Sequence, residues 1–236
     1  MSPRFSNKLH HLDELTLAGV LAPSRIAQAL RMKRFVSDGT FDRFMGDECR
    51  PVSAEYWTPL AAARRTAEWL DQLQIHTVLD IGSGAGKFCV VAALACRARF
   101  TGIEQRTRLV AAARDLAQLF EVHDRVTFVR GTFGDSAPMV ADAYYLFNPF
   151  EENLFEPDDR LDGDVELGKA RFARDIAATE QLLSDARVGT YLITYNGFGG
   201  RVPTCYRELR VDRNLPNVLR LWRKMWPKSA DNRLSA

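Results

Sequence analysis

The feature that most constrains the fold is a short apolar strand followed directly by a glycine-rich turn. Residues Thr77–Ile81 form a β-branched, apolar run of the kind that is buried in parallel sheets. The turn Gly82–Gly86 comes next, and an apolar helix is predicted from Lys87 to Arg97. Glycine permits positive φ angles and a close approach of the backbone to a ligand. This order predicts a ligand site at the carboxyl end of a parallel strand.

Strand and helix patterns alternate through much of the chain, which predicts parallel strand pairs and a sheet covered on both faces. The last two strands follow one another without a helix, which predicts an antiparallel end. The predicted fold is α/β: a Rossmann-like, doubly wound, mostly parallel seven-stranded sheet with an antiparallel edge strand and an N-terminal helical extension. The predicted strands are Thr77–Ile81, Arg99–Ile103, Arg125–Arg130, Ala143–Phe147, Gly189–Tyr195, Cys205–Val211 and Val218–Arg223. The predicted helices are Leu12–Val20, Ser24–Phe35, Pro59–Leu73, Lys87–Arg97, Arg106–Phe120 and Val165–Ser184.

Three segments are predicted along the 236 residues. Residues 1–56 form a helical extension or lid, residues 57–225 the α/β domain, and residues 226–236 a basic tail. The longest apolar run, Phe88 to Cys96, is far shorter than the roughly 20 residues that a membrane helix needs. We see no secretory signal and expect a cytoplasmic protein. The four cysteines form no Cys-x-x-Cys pair, so we assign no metal site.

Three ligand classes use glycine turns of this kind. A P-loop needs G-x-x-x-x-G-K-[ST], but Ile81 replaces its first glycine and Phe88 its magnesium-binding hydroxyl residue. A dinucleotide-binding turn needs G-x-G-x-x-G, but the third glycine comes one residue early and Lys87 stands in its place. Both kinds of nucleotide site are therefore disfavoured.

The third class fits the turn. The pattern Asp-x-Gly-x-Gly-x-Gly at residues 80–86 resembles the first motif of class I S-adenosylmethionine-dependent methyltransferases. The next strand ends at Glu104, about 20 residues past the turn, where a carboxylate can accept both ribose hydroxyls. The resemblance covers about Trp57 to Val211 and implies S-adenosylmethionine as cofactor, with residue 80 facing its methionine end. It implies cofactor contacts by Asp80, Gly82, Ser83, Gly84, Gly86, Lys87, Glu104 and Gln105.

Two further segments are expected to border the cofactor. Trp57 and Thr58 precede the helix that leads into the first strand, and in related enzymes such a segment folds over the cofactor as a lid. After the third strand, many family members have an acidic residue that meets the adenine amino group. Here that stretch contains Thr132, Phe133 and Asp135. Either the first two contact the adenine, or Asp135 reaches back to it.

The fourth strand ends in Asn148-Pro149-Phe150, where class I enzymes keep residues that face the methyl acceptor. The triplet partly resembles the [Asp/Asn]-Pro-Pro-[Tyr/Phe] motif of amino-methylating DNA and protein-glutamine methyltransferases, with one proline missing. It also resembles the Asn-Asn-Phe stretch of non-SET histone-lysine methyltransferases. The resemblance implies that Asn148 accepts a hydrogen bond from the acceptor amine, that Phe150 stacks on it, and that Asn148 also borders the cofactor. The alternative is a plain turn with a buried phenylalanine.

The acceptor side needs little further chemistry, because a sulfonium methyl is already activated and alignment of the two substrates is the main task. A hydroxyl acceptor would need a general base. Glu151 and Glu152 are candidates, although seven acids and one arginine between Glu151 and Asp164 also fit an acidic surface loop. The turn from Tyr195 to Gly200 is either a second wall of the acceptor pocket or a plain turn.

These observations predict a methyltransferase that acts by in-line displacement on a nitrogen or oxygen of a small-molecule or protein acceptor. A nucleic-acid methyltransferase is the first alternative. The triplet at residues 148–150 supports it, as do nine Lys/Arg against three Asp/Glu from Arg201 onward. The missing proline and the lack of an added recognition domain oppose it. A protein that binds the cofactor without catalysis is the second alternative.

Overall fold

The computed structural model describes residues 22–133 and 140–227. The predicted helix Leu12–Val20, Asp135 and the basic tail beyond residue 227 lie outside the described residues. The strands are β1 Thr77–Ile81, β2 Arg99–Glu104, β3 Val126–Arg130, β4 Ala143–Leu146, β5 Tyr191–Tyr195, β6 Tyr206–Asp212 and β7 Leu219–Lys224. The α-helices are α1 Pro23–Arg31, α2 Asp38–Phe41, α3 Ser53–Tyr56, α4 Leu60–Gln72, α5 Lys87–Ala95, α6 Thr107–Leu119 and α7 Lys169–Asp185. Short 3-10 turns are Asp42–Phe44, Glu151–Leu154 and Pro157–Asp159.

The seven strands form one sheet in the order β3-β2-β1-β4-β5-β7-β6. The first five positions are parallel, and β7 runs antiparallel to both β5 and β6. The predicted fold class is therefore confirmed. The reversed strand lies one position in from the edge, because β7 inserts between β5 and β6. The chain leaves β1 and β4 toward opposite sides, and this divergence opens a crevice at the carboxyl ends of the two strands.

The two faces of the sheet carry different layers. Alternation along β1 sends Val78 to one buried cluster and Leu79 to the other. Helices α1, α4, α5 and α6 contribute to the first cluster, whereas α7 is the only described helix with side chains in the second. Helices therefore cover both faces of the sheet, as expected. The cover is extensive on one face, whereas α7 is the only described helix on the other.

The N-terminal extension packs on the core of the α/β domain. Ile26, Leu30 and Phe41 belong to the same buried cluster as Val90 of α5. The ring of Phe41 stacks on that of Phe120, with ring centroids 4.8 Å apart. The extension is therefore held by apolar contacts to the helical layer that follows the glycine turn.

Most predicted elements begin and end within a few residues of the observed ones. The largest differences concern α1, which ends at Arg31 rather than Phe35, and α7, which begins at Lys169 rather than Val165. Lys33 adopts a left-handed φ of 56°, which stops α1. In the described ranges, no helix combines the length and apolar character needed to cross a bilayer.

Candidate functional site

A cavity of about 330 Å³ lies at the crevice where β1 and β4 diverge. It is bordered by the glycine turn, the ends of β2, β3 and β4, residues 55–57 of the predicted lid, α7 and the acidic segment Glu151–Asp164. Most predicted site residues line this cavity: Trp57, Gly82, Gly84, Glu104, Gln105, Thr132, Phe133, Asn148 and Phe150. A smaller cavity of about 20 Å³ is lined by the predicted residues Thr58, Asp80, Ser83 and Lys87.

The glycine turn is shaped by backbone that other residues adopt at a cost. Its three glycines have φ angles of 78°, 52° and 79°. A Cβ at Gly84 would lie 2.2 Å from Cζ3 of Trp57, and one at Gly82 would lie 2.7 Å from Cβ of Pro149. The Trp57 ring and the turn after β4 therefore pack directly on the backbone of the glycine turn.

Glu104 joins the end of β2 to the glycine turn. Its Oε2 accepts the Gly84 N–H at 3.1 Å, and its Oε1 accepts the Arg106 N–H at 2.8 Å. Burial raises the pKa of Glu104, while these N–H donors and the Arg106 guanidinium oppose the shift. Each carboxylate oxygen has a further lone pair, so the group can also accept hydrogen bonds from a ribose diol.

Asp80 is an enclosed carboxyl beside the smaller cavity, only 3% exposed. Burial raises its pKa to about 7, opposed by a 3.2 Å hydrogen bond from the Cys89 thiol and reinforced by the charge of Glu104. Within the described residues, no lysine or arginine forms an ion pair with Asp80. A buried carboxyl of this kind suits the ammonium group of an amino-acid ligand.

Lys87 has partners in the N-terminal extension. Its buried ammonium pairs with Asp38 and Asp42, both at 2.7 Å, and donates to Oγ of Ser53 at 2.9 Å. Two carboxylates and one hydroxyl group therefore surround this ammonium. These contacts tie the extension to α5. Lys87 also lines the smaller cavity, so its contact with the cofactor stays a prediction.

Ser83 and Gly86 shape the turn itself. The Ser83 N–H donates to the Ile103 carbonyl at 2.9 Å, and the Gly86 N–H donates to the Ser83 carbonyl at 2.9 Å. Among the described residues, Oγ of Ser83 is buried without a partner beside the smaller cavity. A Cβ at Gly86 would lie 2.6 Å from Cζ of Phe128. Gly86 thus lets α5 pack on the sheet. It lines neither of these two cavities, so neither supports its predicted contact with the cofactor.

Trp57 and Thr58 lie over the turn. The Trp57 indole N–H donates to the Cys49 carbonyl at 3.1 Å. The Thr58 hydroxyl shares a 3.0 Å hydrogen bond with the hydroxyl of Tyr145. Both residues are buried and both line the smaller cavity. The segment expected to be a lid therefore lies beside Asp80, the residue predicted to face the methionine end of the cofactor.

Asn148 lies in the turn after β4 with a left-handed φ of 39°. A non-glycine residue adopts this region at a cost of order 1 kcal/mol, so surrounding contacts must hold it there. Its N–H donates to the Gly197 carbonyl at 3.0 Å, and its side-chain amide N–H donates to Glu151. The side-chain oxygen of the same amide is the group suited to accept a bond from a ligand. The turn after β5, which contains Gly197, therefore holds Asn148 in place and does not line the cavity.

The two candidate bases have different surroundings. Glu152 accepts hydrogen bonds from Nη2 of Arg106 at 2.7 Å and from the N–H of Leu161 at 2.8 Å. Glu151 is exposed and accepts the Asn148 amide. A guanidinium and a backbone N–H thus already engage the Glu152 carboxylate. Glu151 is therefore the better placed of the two to take a proton.

Sequence reasoning missed Arg106 and much of the cavity wall. Arg106 is 4% exposed, and its guanidinium pairs with Glu152 at 2.7 Å and with Asp162 at 2.8 Å. The sequence analysis interpreted the acids of the segment Glu151–Asp164 as candidate bases or an acidic surface loop, and not as partners of a buried cation. Other lining residues that were not predicted are Tyr56, Phe147, Phe155, Leu161, Leu167, Arg171 and Asp175.

Residues 75–150 match the family model described as Methyltransferase domain. That range contains the glycine turn, Glu104 and the Asn148-Pro149-Phe150 triplet. No curated protein matches the chain.

Solved structures share the fold at low sequence identity. An RNA methyltransferase from Salinibacter ruber in complex with S-adenosyl-L-homocysteine is 21% identical, with a TM-score of 0.51 over 76% of this chain and 99% of that chain. An O-methyltransferase from Bacillus cereus in complex with the same compound is 12% identical, with a TM-score of 0.52 over 85% and 98%. These likenesses establish the fold. One protein is described by its RNA substrate and the other as an O-methyltransferase, and a shared fold does not specify the acceptor.

Proposed function

We propose that this chain is a class I methyltransferase, as its glycine turn and Glu104 predicted. It transfers the methyl group of S-adenosylmethionine to a nitrogen or oxygen of a small acceptor. The observation that carries the proposal is convergence on one cavity. The glycine turn, Glu104 and Asn148 all line the same space of about 330 Å³. Donor and acceptor groups held in one cavity can meet in line.

The residues around the site fit S-adenosylmethionine at both ends. Glu104 offers carboxylate oxygens to the ribose, and the enclosed Asp80 suits the ammonium group. Thr132 and Phe133 line the cavity beyond β3, where the adenine is expected. The side-chain oxygen of Gln105 also lines this cavity and is buried without a partner in the described part of the chain. A bound cofactor supplies an activated methyl group on a sulfonium.

The acceptor side uses residues of the turn after β4. The Asn148 oxygen accepts an N–H or O–H bond from the acceptor and orients its lone pair, and the Phe150 ring packs beside it. A bond forms from the acceptor atom to the methyl carbon as the carbon–sulfur bond breaks, and that electron pair returns to sulfur. Glu151 is positioned beside Asn148 to receive the released proton.

The charges at the cavity favour a small acceptor over nucleic acid. Glu55 and Glu151 are exposed, line the cavity and form no ion pair among the described residues. Their carboxylates would repel a phosphate backbone, whereas nucleic-acid sites present cations to it. Support for the nucleic-acid alternative is therefore limited to the triplet and the basic C-terminal region.

The experiment that tests the proposal is methyl transfer from labelled S-adenosylmethionine to a size-fractionated cell extract. The wild type should label a component of low mass, and Asn148→Ala should lower the rate about 10²-fold, as expected for loss of a group that orients the acceptor. Asn214→Ala, at an exposed asparagine, is the matched control. Binding of S-adenosylhomocysteine without transfer to any fraction would support the non-catalytic alternative.

A further inference from the structure

Part of the cavity wall is apolar. The side chains of this wall come from the turn after β4, the acidic segment and the residues before α7, and two of them flank Asn148 and Pro149 in the chain. They are Phe147, Phe150, Phe155, Leu161 and Leu167. Phe150 is buried, and the other four are only partly buried. Apolar surface left accessible inside a concave site is typical of a pocket for an apolar ligand.

The charged groups next to this wall are compensated by protein partners. Glu152 pairs with Arg106 at 2.7 Å, and Arg171 pairs with Asp175 at 3.3 Å. Paired charges present a weak net field to a ligand, so these groups do not require a charged acceptor. Glu55 and Glu151 are exposed, and neither has an ion pair in the part of the chain that the structure describes; Glu151 adjoins Asn148, where a proton has to leave.

The rings around the wall are set at angles to one another. The centroids of Phe133 and Phe150 are 6.4 Å apart with planes at 35°, and those of Tyr56 and Phe155 are 6.5 Å apart at 67°. Aromatic groups interact best by offset stacking or edge to face. A set of tilted rings therefore offers both kinds of contact to a planar ligand.

We propose that the acceptor has a flat, apolar body, such as a fused aromatic ring system, and carries one amine or hydroxyl group that is methylated at Asn148. The inference rests on the proposed function and narrows its acceptor to small aromatic amines and phenols.

The test is calorimetric binding of matched probes to the protein saturated with S-adenosylhomocysteine. The probes are 6-aminoquinoline and 6-hydroxyquinoline, which share one body, with spermidine as an aliphatic cation and glutarate as an anion. We expect the quinolines to bind at least about tenfold tighter than either aliphatic probe. Leu161→Ala and Phe155→Ala should each weaken quinoline binding about tenfold, through lost apolar contact, and leave S-adenosylhomocysteine affinity within about twofold.

The control is Leu154→Ala, because Leu154 lies in the same segment, is 48% exposed and does not line the cavity. It should change neither affinity. Equal or tighter binding of spermidine or glutarate would overturn the inference, as would quinoline binding that is unchanged in both wall variants. Failure of S-adenosylhomocysteine to bind would instead contradict the proposed function, and quinoline binding to the free protein would then still test the wall.

Discussion

The cavity has a proposed cofactor end and a proposed acceptor end, and the two are built differently. Most polar groups offered to the cofactor come from a single stretch of chain between Asp80 and Arg106. The acceptor end is assembled from separate segments of the chain. Backbone hydrogen bonds hold the first: the N–H groups of Gly82 and Ser83 both donate to the Ile103 carbonyl, at 3.0 and 2.9 Å. Side-chain ion pairs hold the second, through Arg106 and its carboxylate partners. Arg106 belongs to both ends, because its N–H binds Glu104 and its guanidinium holds the acidic segment.

This difference has a consequence for substitutions. Backbone geometry at the cofactor end leaves little tolerance for a new side chain, so changes there should abolish or weaken binding of S-adenosylhomocysteine. Ion pairs at the acceptor end can be removed one at a time, so changes there should affect the acidic segment and leave cofactor affinity nearly unchanged.

The largest expected effect is that of Gly84→Val. A Cβ at this position would lie 2.2 Å from the Trp57 ring, at a φ of 52° that costs a β-branched residue about 1–3 kcal/mol. S-adenosylhomocysteine binding should fall below detection by calorimetry, with the fold checked by circular dichroism. Gly46→Val is the control, because no heavy atom lies within 4 Å of its added Cβ. Retained affinity in Gly84→Val would mean that the turn does not contact the ligand.

Glu104→Ala is expected to have the next largest effect. It removes the acceptor of the ribose hydroxyls, and each hydrogen bond to a charged group contributes about 1.5–3 kcal/mol. The Kd for S-adenosylhomocysteine should therefore rise about 10²-fold or more. Asp115→Ala removes an exposed carboxylate of α6 and should leave the Kd unchanged. If both variants bind equally well, Glu104 has no part in the cofactor site.

A moderate effect of pH is expected through Asp80. Its pKa of about 7 in the free protein means that the carboxyl is largely protonated at pH 6. The ligand ammonium favours the ionised form, so binding at low pH must first release the proton. Affinity should fall about tenfold from pH 8 to pH 6. Calorimetry over this range measures the effect, and Asp80→Asn should abolish the dependence; a flat wild-type profile would exclude the Asp80–ammonium contact.

The smallest effect on cofactor affinity is expected for Arg106→Met. Methionine at this position keeps the backbone N–H that donates to Glu104, so the S-adenosylhomocysteine Kd should stay within about twofold. Removing one partner of a buried ion pair costs about 3–5 kcal/mol, so hydrogen exchange in residues 151–165 should accelerate at least about tenfold.

Arg108→Met is the matched control for this variant, because Arg108 also pairs with Asp162 but is 30% exposed. It should accelerate exchange less. Glu152→Gln tests the same ion pair from the other side. A large loss of cofactor affinity in Arg106→Met, or unchanged exchange in both Arg106→Met and Glu152→Gln, would remove the distinction between the two ends.

The sequence was sufficient for the sheet and for the glycine turn, because strand and helix periodicity and glycine geometry are local properties. It was insufficient where partners are distant in the chain. Arg106 meets Glu152 and Asp162, 46 and 56 residues away, and no local pattern specifies that pairing. The partners of Lys87 were missed for the same reason, since Asp38 and Asp42 belong to the extension. The contribution of the wall residues depends on packing, which is also non-local.

The central claim is that the cavity between the glycine turn and Asn148 binds the methyl donor. Calorimetric titration of the wild-type protein with S-adenosylhomocysteine at pH 8, where Asp80 is ionised, tests it most directly. The account predicts saturable binding at a single site per chain that S-adenosylmethionine displaces and Glu104→Ala weakens. No heat of binding and no competition at ligand concentrations up to about 1 mM, a free energy weaker than about −4 kcal/mol, would contradict it.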